Sequence, residues 1–533
     1  MKIRNLILTT TILGLLFVSC NDLDTYPEGS IVTTNQKEEV YELNPAQTAA
    51  GVNGIFAQFN QFMPNESALG AERHNDFGYP SIMMFTDANG MDMITEDNGY
   101  NWAGFNLNFS DRIYTSNETQ IVWNNLYAII FTANNVIGPI DPETDIATNQ
   151  YYLGQGLAAR AFAYFNLAQL FQFNYVGNQG KPCVPIITNE NSNEAALSGA
   201  PRSTVEEVYT LILNDINKAI ELLDAAESAG VTRKDKRYIS LAVAYGLRAR
   251  IHLTMQKWPE AAADATNAIE KSEAKPATIK DVSGPSFSSA AEKNWMWGII
   301  IAETDRVVTS TIVNWISHMG SLNYGYANFS KGRQINKALF NSIPESDVRR
   351  GWWLDEEMYS KHLNKEQNDW MNKYYSGYTQ VKFAPYKNEV GSTTNATDLP
   401  LMRIEEMYLI KAEAEAMSGG AGAATLVSFV KEFRDPGYEF TATSPQAVQE
   451  EVFRQRRIEL WGEGLSWYDI MRLNKPVDRR GAGFPNAPMV FNIPAGDPIL
   501  LWRIPEAEIQ ANPALNEEDN NESAPAPTPV PDL

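Results

Sequence analysis

The sequence predicts a mostly α-helical protein, a repeat scaffold of stacked antiparallel helix hairpins carrying loop-rich insertions and a few short strands. Three observations predict it. Residues 237–271 read as two helices folded back on each other: Ala249, Ala261 and Ala268 let the backbones approach, and Leu247, Ile251, Leu253 and Ile269 form an apolar stripe. Residues 406–434 repeat that spacing with Ala412 and Ala424, and Gly419-Gly420 marks the turn. Helical periodicity also runs through residues 120–137, 151–173 and 205–223. The alanine spacing is the tetratricopeptide pattern. One such hairpin leaves an apolar face uncovered, so roughly three or more must stack.

The N-terminus has its own logic. Lys2 and Arg4 precede the apolar run LILTTTILGLLFV, and Ser19-Cys20 closes it, which is the layout of a secretory signal over residues 1–19. A cysteine directly after the cut resembles a bacterial lipoprotein box, in which Cys20 becomes the lipidated first residue. Phe17 departs from the usual Leu, and a plain signal peptide followed by a chance cysteine is the other reading. Acyl chains at Cys20, palmitate among them, would anchor the chain without a spanning helix, because each buried methylene contributes about 0.8 kcal/mol. Later segments fall short of the roughly 18 apolar residues that a span needs. Residues 20–35 are polar and read as a lipidated tether.

Residues 36–515 form the folded body in this reading. Helix pairs are expected around residues 151–224, 237–272, 403–434 and 446–473. Insertions fall at 64–110, 174–201 and 274–398, where Gly, Pro, Asn and aromatics interrupt the period. The first long helix is expected near residues 44–62, Ser203 or Thr204 is expected to cap the helix that follows, and residues 295–301 read as a short strand. Residues 516–533, acidic and then proline-alternating, are expected to be a disordered tail.

Composition excludes several functions. A formal charge of −22 opposes nucleic acid or an anionic membrane surface as the main partner. Cys183 reads as a buried small residue, and His74, His252, His318 and His362 lack metal-ligand spacing, so no metal and no cofactor are expected. Asp87, Asp92, Glu96 and Asp97 read either as a solvated acidic loop or as hard oxygen ligands for calcium, without EF-hand spacing. The sequence contains no GxSxG, HExxH or P-loop motif, so no catalytic residue is assigned.

Several blocks in order resemble the SusD/RagB family of nutrient-binding outer-membrane lipoproteins: VWNNLYAIIFTANNVI, AARAFAYFNLAQLF, PRSTVEEVYTLILNDINKAIELL, YGLRARIHLTMQKWPEAAADA, LMRIEEMYLIKAEAEA, RQRRIELWGEGLSWYDIMRL and RIPEAEIQANPALN. The resemblance implies a SusD-like fold of tetratricopeptide-like pairs with ligand-bearing loops, exposed at the cell surface. It also implies partnership with a SusC-like TonB-dependent transporter in the outer membrane, to which oligosaccharide, or peptide in some members, is delivered for nutrient uptake. Where the family commonly carries a basic residue near Ser466, this chain does not. Arg456, Arg457, Glu459, Glu463, Asp469 and Arg472 are expected to form one ion-pair network closing the stack.

Sugars present apolar C–H faces edged by hydroxyls, so their sites combine flat rings with amides or carboxylates. Two loop segments supply both: Asn98, Tyr100, Asn101 and Trp102, beside Asp97, and then Trp315, Asn323, Tyr324 and Tyr326. The resemblance places the family's aromatic arc in about these regions. Trp102, Trp315 and Tyr324 are expected to form the platform; the alternative is that each ring fills core space under a loop. Trp258, Trp461 and Trp467 have helical context and read as core. Rival functions are a tetratricopeptide-type interaction scaffold, which would bind peptide on its concave face, and a glycoside hydrolase, for which no carboxylate pair is marked.

Overall fold

One large apolar core and two smaller clusters, around Leu426 and around Leu354, hold the helices together, and the computed structural model describes residues 45–96 and 102–533 of the chain. Helix α1 (Pro45–Ala57) leads into α2 (Tyr79–Asn89), then α3 (Asn117–Ile137), α4 (Ala147–Phe171), α5 (Val205–Ser228), α6 (Leu241–Thr254) and α7 (Trp258–Lys271). A short helix α8 (Trp315–Met319) lies in the long insertion. Four more follow: α9 (Ile404–Met417), α10 (Gly422–Phe433), α11 (Pro445–Glu459) and α12 (Ser466–Arg472). Caps explain several starts. The Ser116 hydroxyl accepts the Thr119 N–H at 3.1 Å, and at α5 the capping residue is Thr204, in a reciprocal box with Glu207.

The helices pack in sequence: α3 against α4, α4 along α5, α6 along α7, and α7 against α9. Helix α10 returns along α9. Helix α11 lies mainly on α9 rather than pairing with α12, which is only seven residues long. The expected hairpin over residues 446–473 is therefore a helix laid on its predecessor. Among the described residues no helix is long and apolar enough to cross a membrane.

Two further segments depart from expectation. Residues 64–110 were to be irregular, yet they contain α2, every residue of which is buried. A helix buried on all sides has no polar face, so its sequence shows no amphipathic stripe to read. Its C-terminal carbonyls are bound by the fully buried Arg479, which donates to Ala88 O (2.8 Å), Asn89 O (3.2 Å) and Gly90 O (3.0 Å), satisfying the negative end of the helix. The second correction is the tail. Residues 516–533 are not free: the Asn521 amide donates to Phe171 O and Trp502 O at 2.7 Å, Arg202 holds Asp519 O and the Asn521 side chain, and the Val530 N–H donates to Val490 O at 2.9 Å. Composition measures how little apolar surface a segment can bury and is blind to such backbone docking.

The strands form three two-stranded ladders. Strand β1 (Met93–Ile94) pairs with β3 (Gln334–Ile335), β2 (Trp295–Ile299) with β4 (Leu399–Arg403), and β5 (Val477–Asp478) with β6 (Asn492–Ile493), all antiparallel. The β1–β3 ladder ties the first insertion to the third.

Buried charges hold the third insertion to the stack. Glu459, at the end of α11, accepts Arg403 Nη1 (3.0 Å), Arg434 Nε (2.7 Å) and Arg349 Nη1 (3.3 Å), and all four side chains are fully buried. Glu463 accepts Arg403 and the Lys382 ammonium (2.6 Å), and Glu405 accepts Arg434 (3.1 Å). Burial pushes the Glu459 carboxyl up, but Arg434, Arg403 and Arg349 outweigh it and hold the group well below its usual range. The six residues expected to form one network instead divide. Arg456 and Arg472 clasp Asp469 at 2.7 Å each, Arg472 also holds Glu413, and Arg457 reaches Asp92. Apart from Asp469, their partners lie in segments that the local charge pattern does not contain.

Asp87 is buried beside this network and accepts the Gly464 N–H at 3.0 Å. Gly464 has φ +73, and a Cβ there would sit 2.7 Å from Met83 Cα, so glycine is required. Asp87 and Asp92 are both buried, so neither belongs to a solvated acidic loop.

Two measurements check this account. Glu459→Gln removes the charge that three guanidiniums share, and chemical denaturation should show a loss of about 3–5 kcal/mol; a loss under about 1 kcal/mol contradicts the role assigned to it. Burial pushes the Asp87 carboxyl up to about 8 from 3.8, so the native state keeps a proton that the unfolded chain releases between those values. Unfolding free energy then falls as pH rises through that window, by at most about 1.4 kcal/mol per pH unit. Asp87→Asn removes that contribution, so wild type should lose stability relative to the variant from pH 5 to 8; parallel curves contradict it.

Candidate functional site

The β1–β3 ladder brings two ring-bearing loops together. From the first, Trp102 is only partly buried, with φ +52, a left-handed conformation that is costly for a large side chain. Its carbonyl accepts the Asn75 amide at 3.0 Å, and that amide also reaches Glu118 Oε1 at 3.1 Å. The His74 ring stacks on Trp102 with centroids 5.0 Å apart and planes 23° from parallel. The Arg73 guanidinium lies 5.2 Å above the Trp102 ring and 5.5 Å from the ring of Phe105, which is 48% exposed. Arg73 pairs with the buried Glu118 at the start of α3, so the cation is fixed to the helical stack.

The second loop supplies the wall behind Trp102. Tyr326 meets Trp102 edge to face at 6.2 Å, stacks on His318 at 4.8 Å and 11°, and shares a hydrogen bond between its hydroxyl and His74 Nδ1. Burial raises the Tyr326 phenol above its usual range and lowers His74 below its own; Glu72 opposes the latter shift and Arg73 reinforces it. Tyr324, on the same loop, is 39% exposed and meets Phe329 edge to face at 6.0 Å.

The expected site residues therefore separate. Trp102 and Tyr326 meet, with Tyr326 as the supporting wall, while Tyr324, two positions earlier on the same loop, is partly exposed against Phe329. Trp315 is 3% exposed and packs edge-on against Phe383 at 5.0 Å, so it fills core space and cannot be part of a platform. Asn323 is buried too; its amide donates to Asn395 Oδ1 at 2.8 Å and to Ile316 O at 3.2 Å, which is a structural role. Asn98, Tyr100 and Asn101, with Asp97, lie outside the described residues, as does Cys20. Trp461 and Trp467 are buried, the Trp461 indole donating to Asp92 O at 2.8 Å, while Trp258 packs partly buried against the core. Among the described residues no group of three His, Cys, Asp or Glu side chains is placed to hold a metal ion.

Sequence reasoning missed Arg73, His74, Phe105 and Glu118. Phe105 sits three residues after Trp102 and could have been included on that spacing. The Arg73–Glu118 pair spans 45 residues and carries no local signal. Chemically, the surface offers ring faces to sugar C–H groups, with a guanidinium for hydroxyls or an anion.

Comparison with known proteins places this architecture. A model described as the SusD family matches residues 353–521, and one described as starch-binding, associating with the outer membrane, matches residues 68–253. A SusD-like protein of Formosa agariphila is 24% identical over 409 residues, covering 69% of this chain and 74% of that protein. A second from the same organism is 23% identical, covering 87% and 90%. Among solved structures, a SusD-like carbohydrate-binding protein of Bacteroides vulgatus superposes with a TM-score of 0.73 at 23% identity, covering 90% of this chain and 98% of that one. A laminarin-binding SusD-like protein superposes at 0.61 with 19% identity, covering 90% and 100%. At such identities the superpositions establish the fold alone, while the two sequence models carry the assignment. The chain belongs to the SusD/RagB family, a family of carbohydrate-binding proteins associated with the outer membrane, not of enzymes.

Proposed function

We propose that the protein captures an oligosaccharide on the surface built from Trp102, Arg73, Phe105 and Tyr324 and passes it to a SusC-like TonB-dependent transporter for nutrient uptake. The observation that carries this reading is the partly open Trp102 ring, held in a strained backbone conformation under the Arg73 guanidinium with Tyr326 and His74 packed around it. Strain of this kind persists only where surrounding structure enforces it. Sugar C–H faces stack on such rings, and charge-assisted hydrogen bonds from Arg73 would orient the hydroxyls. The anchor in this reading is lipid on Cys20, with the protein on the outer face of the outer membrane.

Native affinity electrophoresis through gels containing laminarin, soluble starch or xylan tests the site. Wild type should be retarded by at least one polysaccharide. Trp102→Ala with Tyr324→Ala should weaken that retardation about tenfold or more with an unchanged circular dichroism spectrum, whereas equal retardation of variant and wild type would sink the proposal. Trp315→Ala should act differently, costing about 3–5 kcal/mol of stability as a core truncation. For the anchor, radiolabelled palmitate should join the wild-type chain in the outer-membrane fraction and not Cys20→Ser; labelling of both contradicts it.

A further inference from the structure

A cleft of about 470 Å³ lies between the end of α1, strand β2 and the segment that follows it, and none of its lining residues belongs to the ring surface above. Arg237 and Arg306 line it, with Asn60, Gln61 and Phe62 opposite. Among the described residues, every other arginine places its guanidinium on a carboxylate, amide, hydroxyl or carbonyl oxygen. Arg237 and Arg306 do not. The cleft also holds one carboxylate, Asp305, so its lining carries two guanidiniums against one acid, in a chain with 65 acidic and 43 basic residues.

The nearby carboxylates accept other donors, and Arg237 acts on Asp398 only at a distance, its charge opposing the rise that burial causes in that carboxyl. Asp305 accepts the Ala302 N–H at 2.9 Å, Asp398 accepts the Ala290 and Ile301 N–H groups at 2.8 Å each, and Glu303 holds Lys387 and the Tyr386 hydroxyl. The Arg237 backbone is fixed in place: its carbonyl accepts the Trp297 indole N–H at 2.9 Å, and its N–H donates to Asp235 at the same distance. The Arg306 guanidinium lies 4.5 Å from the Phe62 ring centroid. Stacking uses the face of a guanidinium and leaves its in-plane N–H donors open, the geometry that receives carboxylate or sulfate bidentately.

We propose that this cleft is a second ligand subsite, in which Arg237 and Arg306 receive the carboxylate or sulfate group of an acidic saccharide while Asn60 and Gln61 face its hydroxyls. Only the ligand's class rests on the saccharide reading; the anion preference rests on the cleft.

Calorimetric titration of the purified protein at low ionic strength tests it, with trigalacturonate as the carboxylate probe, a κ-carrageenan tetrasaccharide as the sulfate probe and laminaritetraose as the neutral control. Arg237→Gln with Arg306→Gln, at solvent-accessible positions, should leave the thermal midpoint and laminaritetraose binding unchanged and weaken the preferred acidic probe about tenfold. Trp102→Ala with Tyr324→Ala should leave a contribution to acidic-probe binding that the arginine variant removes. Equal affinity of the arginine variant and wild type for both acidic probes overturns the proposal, as does failure of both acidic probes to bind wild type. Loss of laminaritetraose binding in the ring variant alone would separate the two sites.

Discussion

The structure depends on a set of charges that water does not reach. Arg349, Arg403, Arg434 and Lys382 face Asp347, Glu405, Glu459 and Glu463, all buried, in matched numbers. Removing such groups from water is expensive, and only close geometry with several hydrogen bonds per group offsets it. That requirement is a constraint on shape. Arg403 ends β4, Glu459 ends α11, Arg434 follows α10, and Arg349 and Lys382 come from the third insertion, so one arrangement of these segments satisfies every charge and others strand at least one. An apolar seam between the insertion and the stack would tolerate sliding; this one does not.

The ring surface inherits its position from that seam. Tyr324 and Tyr326 ride on the third insertion, and Trp102 rides on the first, which the β1–β3 ladder and the Arg73–Glu118 pair join to the rest. Neither loop makes the site alone. The chemistry needed for sugar binding is simple, flat rings and a few polar groups, but the rings must be held apart from the core that would otherwise absorb them. Trp315 shows what happens without such support: it lies on the same insertion and packs inward against Phe383.

Much of the fold was legible because helices that bury one face advertise it. The periods of α3 to α7 and the alanine spacing of α6–α7 and α9–α10 located those elements within a few residues of their observed bounds. Helix α2 was invisible because burial on every side erases the period. The tail was misread because composition carries no information about backbone hydrogen bonds to distant loops. Charge pairs were legible as charged residues and illegible as pairs, since Arg403 and Glu459 are 56 positions apart. At the site, ring-rich loops could be recognised, but an aromatic residue looks the same in sequence whether it faces water, as Tyr324 does, or core, as Trp315 does. Only contacts between segments distinguish them, and Arg73 and His74 gave no local sign at all.

Hydrogen–deuterium exchange, resolved by peptide, on wild type and on a variant lacking the Glu459 charge under conditions where both remain folded, tests the central claim most directly. If buried ion pairs clamp the insertion to the frame, peptides from residues 322–383 and the ring loop at 102–109 lose protection in the variant while α3 to α7 keep theirs. Protection lost evenly across the chain, or retained throughout the insertion, would contradict the claim that these charges are what holds the ligand-bearing loops in place.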